Sequence, residues 1–404
     1  MAYQPPAKRA RLETAGRSER TLALPAHASL PPSPPHFSQP QLLTTFSYDA
    51  DRVQHFDDSS LKYFRPPTQP RDLDLRRGFA EATWKPEGAE GPDTLLATLE
   101  RLDESHDELL DSIKVIAWRG LLTKFATTAY ETREPWSMTA QLFEGCLYFQ
   151  ENKKPEEFDE TRRLLMYYGY SFESYCTTAA KPSDLAQGVP LPRDEEPGWG
   201  GNVNTNVQWC AICRTNLDGM RMILGGEVDC ITESRDPKRG LSPDHFVELK
   251  TNMVINSERD EVKFEKFKML KFYMQSYLLG VSRIFVGFRT HEGRLTAIQP
   301  FNTLELPRFV RGKTHEWNPN IALRTASAML GFVHQTLRQD GATQGAQRQF
   351  DETLSGQAQG RGAGPQLSVA LLSNESKDEG RIGILPRSWV QSVARRKLRL
   401  QQRP

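Results

Sequence analysis

The sequence predicts an α+β fold: a single domain around a mixed β-sheet with flanking helices. Three observations carry that prediction. Five short segments rich in Val, Ile, Phe and Thr bunch between residues 207 and 290, stretches with apolar residues three and four apart flank them, and strong compositional bias is confined to the two ends.

The expected strands are 207–215, 220–224, 227–232, 245–251 and 284–290, each short enough to cross one sheet. The expected helices are 93–112, 156–168 and 263–279, from the 3.6-residue period of their apolar positions. No internal repeat is visible. Eight of the 27 prolines fall in the first 40 residues, without hydrophobic periodicity, so 1–41 reads as a disordered tail. Residues 42–338 form the folded domain. Residues 339–404 begin Gly-rich, with a possible extra strand near 366–390, and end in the basic run Arg395-Arg396-Lys397-Leu398-Arg399.

Composition narrows the function classes. With 52 Lys+Arg against 51 Asp+Glu, the 404-residue chain has a formal charge of +1, which excludes a histone-like polycation or an acidic tail protein. No apolar run reaches the roughly 18–20 residues of a membrane span and no apolar signal segment opens the chain, so a soluble, non-secreted protein without membrane partners is expected. Five cysteines are an odd, sparse set suited to a reducing compartment. The cluster Pro6-Ala7-Lys8-Arg9-Ala10-Arg11-Leu12-Glu13 has the character read by nuclear import receptors and points to the nucleus.

The chemistry concentrates in two triplets. In Glu227-Val228-Asp229, strand alternation would place both carboxylates on one face and Val228 on the other. In Glu248-Leu249-Lys250, Glu248 and Lys250 share a face while Leu249 points to the core. Alone, either triplet also fits surface strand residues in cross-strand ion pairs. Together they give an acid followed by Glu-x-Lys on a neighbouring strand, the arrangement of the Asp/Glu-x-Lys nuclease core. Phosphodiesters resist attack because they are already anionic; carboxylates can hold hard divalent cations that neutralise them and activate water. The pair Cys210/Cys213 invites a zinc reading, but no second ligand pair lies nearby and strand residues three apart face opposite sides.

At these residues the sequence resembles the DXO/Rai decapping nucleases. The motifs Trp118-Arg119-Gly120, Gly169-Tyr170-Ser171-Phe172-Glu173, Gly226-Glu227-Val228-Asp229-Cys230, Glu248-Leu249-Lys250-Thr251 and Gln275-Ser276 occur in the family's order. Asn202–Val207 and Gly287-Phe288-Arg289 also match, and the fungal Rai-type branch fits best. The resemblance implies that Glu173, Glu227, Asp229, Glu248 and the main-chain carbonyl of Leu249 hold two divalent cations, Mg²⁺ or Mn²⁺. It implies catalytic roles for Glu227, Asp229, Glu248 and Lys250. Substrate contacts would come from Arg52, Glu90, Trp118, Arg119, Gly120, Cys210, Glu227, Lys250 and Gln275, although the surroundings of Glu90 depart from the pattern. Four carboxylates against two dications would leave the cluster formally neutral, so an entering phosphate is not repelled.

The expected function is a metal-dependent hydrolase of RNA 5′ ends. It would remove NAD caps, incomplete caps and 5′ triphosphates to leave a 5′ monophosphate, and would stabilise the nuclear 5′-to-3′ exoribonuclease that consumes such ends. Two alternatives stay open: a mainly non-catalytic partner of that exoribonuclease, and a DNA nuclease with the same core.

Overall fold

The structure is a computed structural model that describes residues 21–23, 34–86, 88, 90–131, 133–153, 158–233, 240–339, 347–353, 366–371 and 380–402. In chain order the strands are β1 (Thr21–Ala23), β2 (Gln41–Tyr48), β3 (Gln54–His55), β4 (Tyr63–Phe64), β5 (Val115–Trp118), β6 (Ser137–Phe143), β7 (Cys146–Glu151), β8 (Thr177–Thr178) and β9 (Gln208–Leu217). They continue as β10 (Met220–Glu227), β11 (Cys230–Ile231), β12 (Phe246–Met253), β13 (Arg283–Arg289), β14 (Leu295–Asn302), β15 (Gln347–Thr353), β16 (Gln366–Leu371), β17 (Arg381–Ile382) and β18 (Leu385–Pro386).

The α+β class holds, with a division of the strands that the sequence did not show. One mixed sheet has the order β1-β16-β15-β6-β7-β5-β10-β9-β2-β3 and a second has the order β14-β13-β12-β11-β4-β8. Alternation along β10 explains the layers. Met222 and Leu224 face a core shared with Ile284 and Val286 of the second sheet and with the helices Arg119–Thr127, Leu270–Leu279 and Pro319–Gln339. Ile223 faces the opposite side, where it and Phe46 of β2 are covered by Leu95 and Trp389. The outer face of the second sheet packs Val247 and Leu249 against Tyr168, Phe172 and Tyr175 of the helix Glu160–Cys176.

Several expected boundaries move, each for a local reason. The helix expected at 93–112 is broken, because the Asp103 carboxylate accepts the Ser105 N–H at 2.9 Å and starts a new turn before the helix Asp107–Ser112. The helix expected at 156–168 starts instead at Glu160, where the Asp159 side chain caps the Arg162 N–H at 2.7 Å, and passes through Gly169 to Cys176. The strand expected at 227–232 shrinks to Cys230–Ile231. At the ends, Thr21–Ala23 pairs with β16 and Phe37 bridges to Leu217 with its ring 5.0 Å from Tyr277, so ordered chain begins before residue 42. The basic C-terminal run is helical, Arg387–Gln402: Trp389 and Val393 are buried, and Arg399 makes two bonds to Asp107 at 2.7 and 2.9 Å. The import-like cluster at 6–13 and much of the Gly-rich segment lie outside the described residues.

Candidate active site

The site forms where a strand stops. β12 pairs with β11 only at Phe246 and Val247, so from Glu248 onward that edge of β12 has no strand neighbour among the described residues and opens a gap. The Leu249 N–H points into that gap and donates to Asp229 Oδ2 at 2.6 Å. Because the N–H and C=O of one strand residue point to the same side, the Leu249 carbonyl faces the gap too.

Four elements deliver the carboxylates. Glu227 closes β10, Glu248 lies on β12, Glu173 lies within the helix Glu160–Cys176, and Asp229 lies in the crossover between the sheets. Two expectations are corrected here. Glu227 and Asp229 are not alternate residues of one strand: the ladder ends at Glu227, and Val228 is pulled into the junction core as its N–H bonds Trp209 O at 3.0 Å. Glu173 does not follow its helix but sits one turn from its end.

The electrostatics are those of crowded acids. Burial, then Asp229 and Glu227, push the Glu173 carboxyl well above its ordinary range. Burial and Glu248 push Asp229 up to about 7, and burial raises Glu227. Glu248 is the exception: burial opposes its charge, but Lys250 and Arg119 outweigh burial and hold its pKa low. Lys250 stays protonated in turn, since Glu248 and Asp229 overcome its desolvation.

Around Glu248 the expected positioning residues converge. Lys250 pairs with Oε1, Gln275 Nε2 donates to the same oxygen at 2.5 Å, and an Arg119 terminal nitrogen lies 3.3 Å from Oε2. Arg119 also donates to the carbonyls of Gln275 and Glu227 at 3.2 and 3.4 Å, while its buried Nε has no partner. Gly226 makes this approach possible, because a Cβ there would meet Leu279 at 3.0 Å and Arg119 Nε at 3.3 Å.

A second cluster sits beside the first. Arg52, held at φ +65°, stacks over Tyr48 at 3.7 Å, pairs with Glu90 and donates to the Asn206 carbonyl at 2.9 Å and to Gln208 Oε1 at 2.5 Å. Lys85 reaches Glu90 at 3.3 Å. Gln208 donates to Glu227 Oε2 at 2.8 Å and thereby links both clusters.

The remaining expected residues are placed differently. Cys210 opposes Glu227 in the β9–β10 ladder, but it is buried against the core that covers the first sheet, while Cys213 faces the junction core. That division confirms the opposite-face reasoning for the pair. The Trp118 indole donates to the Gly91 carbonyl at 3.0 Å and lies 6.4 Å from Phe46, forming a fixed wall, and Gly120 has open space where a Cβ would stand.

Sequence reasoning missed Gln208, Lys85 and Tyr170. Tyr170 lies one helical turn before Glu173, its hydroxyl raised by burial and by Glu173 and Glu227, and its ring meets Trp84 edge-on at 6.0 Å. Helical spacing from Glu173 would have found Tyr170, and strand spacing from Cys210 would have found Gln208. No pattern marks Lys85.

Fully ionised, the four carboxylates would outnumber the two cations, Lys250 and Arg119, and an all-oxygen donor set suits a hard divalent cation. Among the described residues no three acidic, His or Cys side chains are already drawn together tightly enough to hold an ion.

Comparisons with known proteins bear on the family and the fold. A family model described as RAI1 like PD-(D/E)XK nuclease matches residues 38–361. The chain is 33% identical to a decapping nuclease RAI1 of Mycosarcoma maydis, over 90% of this chain and 89% of that protein. Two solved structures share the fold: Candida albicans Rai1 in complex with pU5-Mn²⁺, at 21% identity and TM-score 0.77, covering 94% of this chain and all of that one, and Scheffersomyces stipitis Rai1 in complex with (3′-NADP)⁺ and calcium ion, at 21% identity and TM-score 0.76, covering 93% of this chain and all of that one. With a matched region that contains every carboxylate, both cations and the glutamine of the interrupted sheet edge, the chain belongs to the RAI1-like PD-(D/E)XK nuclease family.

Proposed function

We propose that this hydrolase removes NAD caps, incomplete caps and 5′ triphosphates from RNA and leaves a 5′ monophosphate. The observation that carries the reading is the convergence of Glu173, Glu227, Asp229 and Glu248 with Lys250, Arg119 and Gln275 at one sheet edge. Glu173, Glu227, Asp229, Glu248 and the Leu249 carbonyl would hold divalent cations, Mg²⁺ or Mn²⁺ and two per site. Bound there, they would neutralise phosphate charge and activate water. The ligands crystallised with the Candida and Scheffersomyces proteins, a 5′-phosphorylated RNA with manganese and a dinucleotide with calcium, support this reading.

The chain's own residues divide the remaining work. Lys250 and Arg119 carry fixed positive charge beside Glu248, where charge builds on a scissile phosphate. Gln275, fixed by Glu248, presents its amide on the same side. Arg52 and Glu90, linked to the acids by the hydrogen bonds of Gln208, form a polar rim suited to the cap or the terminal nucleotide. Only an end that fits between this rim and the acids is cut, so little sequence preference is expected.

We extend the proposal to action in the nucleus, on the basic cluster at 6–13, and to stabilisation of the 5′-to-3′ exoribonuclease that would degrade the monophosphate product. The test is incubation of the purified protein with 5′-triphosphate, unmethylated-cap, methylated-cap and NAD-cap RNAs in Mg²⁺ or Mn²⁺, with identification of the released small molecule. Release from the first, second and fourth, lost in a Glu227→Ala/Asp229→Ala double variant, is the expected result. Full activity of that double variant overturns the assignment.

A further inference from the structure

The parallel strands β5 and β10 lead to Arg119 and Glu227 at one end, and at the other they start from Lys114 and Met220. The length of β10, about 23 Å, separates Met220 from Glu227. At the Met220 end lies a cavity of about 510 Å³ whose aliphatic floor is Leu142, Leu147 and Met220. Lys114, His334 and Arg338 also line it. The Lys114 backbone is fixed between two strands, since its N–H donates to the Arg221 carbonyl at 2.8 Å and its carbonyl accepts the Leu147 N–H at 2.8 Å. Its ammonium lies over the turn between β6 and β7, where a Cβ on Gly145 would stand 3.8 Å from Nζ. The opposite wall is the helix Pro319–Gln339. Its Gly331, His334 and Arg338 are spaced along one face, and a Cβ at Gly331 would stand 3.9 Å from Met220 Cε.

The charges around this cavity are of one sign. Among the described residues no carboxylate lines it, and the side chains of Lys114, His334 and Arg338 form no ion pair. Glu144, beside Gly145, is paired instead with Lys397 at 2.6 Å. Burial, then Arg338 and Lys114, lower the His334 pKa, so its ring is neutral at pH 7 and offers one N–H. The cavity is far larger than an inorganic ion, and it falls within the range of about 300–1,000 Å³ typical of small-molecule sites. Leu142 and Met220 are half-buried, so an occupant with apolar or planar surface would gain by covering them.

We infer that this cavity binds a phosphomonoester of nucleotide size, with its phosphate between Lys114 and Arg338 and its body on the aliphatic floor. The planar fork of Arg338 can present paired donors to phosphate oxygens, Lys114 adds a point charge from the strand side, and His334 adds a neutral donor. The floor decides for an organic ligand over a bare ion, and the basic groups decide for an anion over a neutral one. At the far end of β10 from the acids, the site is independent of the RNA-end reading and of any metal bound there.

The test titrates the full-length protein in EDTA with AMP, inorganic phosphate and adenosine, by calorimetry and by the NMR signal of His334, assigned with a His334→Gln variant. AMP is expected to bind with a Kd on the order of 10⁻⁴ M, at least about tenfold more tightly than phosphate or adenosine. Its dianion should raise the His334 pKa by about one unit, a tenfold gain in proton affinity. The double variant Lys114→Gln/Arg338→Gln should weaken AMP binding at least about tenfold, and because both side chains are exposed its fold should survive. The Glu227→Ala/Asp229→Ala variant should bind AMP as wild type does, with the same His334 shift. Loss of AMP binding in that acid variant, equal binding in Lys114→Gln/Arg338→Gln, or a His334 signal that does not move overturns the site. So does the absence of AMP binding at about 10 mM. Phosphate or adenosine binding as tightly as AMP overturns the assignment to a phosphomonoester, since only one part of the cavity would then be used.

Discussion

Removal of divalent cations should make this protein less stable as pH rises through neutrality. Asp229 carries the effect. Its carboxyl titrates at about 7 in the folded chain against an ordinary 3.8, because it is buried and faces Glu248 and Glu227, with Lys250 and the Leu249 N–H offsetting part of the rise. Between those values the folded state keeps a proton that the unfolded state has lost, so stability falls as pH increases from about 4 to about 7. Three pH units at 1.36 kcal/mol each set the loss at up to about 4 kcal/mol. Glu173, raised by the same neighbours, extends the decline to higher pH. The measurement is urea denaturation in EDTA at pH 5, 6, 7 and 8, on wild type and on Asp229→Asn, whose amide oxygen can still accept the Leu249 N–H. Wild type should lose more stability than the variant across this range. Mn²⁺ or Mg²⁺ should then restore more at pH 8 than at pH 5, since protons compete for the same oxygens. Equal pH dependence in the two proteins would refute the assignment of crowded, proton-holding acids.

Other outcomes follow from the same geometry. Gly226→Ala should displace Arg119, reducing kcat by tenfold or more while costing about 1–3 kcal/mol in urea denaturation, because its Cβ would stand 3.0 Å from Leu279 and 3.3 Å from Arg119. Lys250→Met should lower kcat by about 10²–10³ with little change in metal affinity measured by calorimetry, because it removes charge stabilisation and leaves every carboxylate in place. Trp389→Ala should cost about 3–5 kcal/mol and loosen the C-terminal helix in hydrogen exchange, since the indole is fully buried and donates to the Tyr148 hydroxyl at 3.0 Å.

How much of this was legible depended on how local the cause was. Apolar alternation marked β9, β12 and β13 to within a few residues, since each is a strand with one or both faces in a core. It missed β6 and β7, which pair as a tight hairpin but are buried on both faces along most of their length and so show no alternation, and it missed the Pro319–Gln339 helix. Glu248, Lys250, Arg119 and Gln275 were all named from motifs, and the structure brings them into direct contact. Strand spacing could have pointed to Gln208, but not to its bridge from the Arg52 cluster to Glu227, because that bridge depends on the pairing of β9 with both β2 and β10.

The most instructive difference concerns the acids themselves. Strand alternation brought Glu227 and Asp229 together on one face, and they do act on one another, but for another reason: β10 ends, Val228 turns into the junction core, and β11 runs for only two residues. A longer β11 would continue pairing along β12 and cover the Leu249 N–H that now holds Asp229. The backbone polar groups of Leu249 must be satisfied somewhere, and the missing neighbour leaves them to a carboxylate and to whatever enters the gap. The shortness of β11 therefore does two things at once: it parts the two sheets, and it turns an inner strand into an edge on which acids from four elements can meet. Motif spacing records the residues that meet there, while the gap itself is written in the residues that decline to continue a strand.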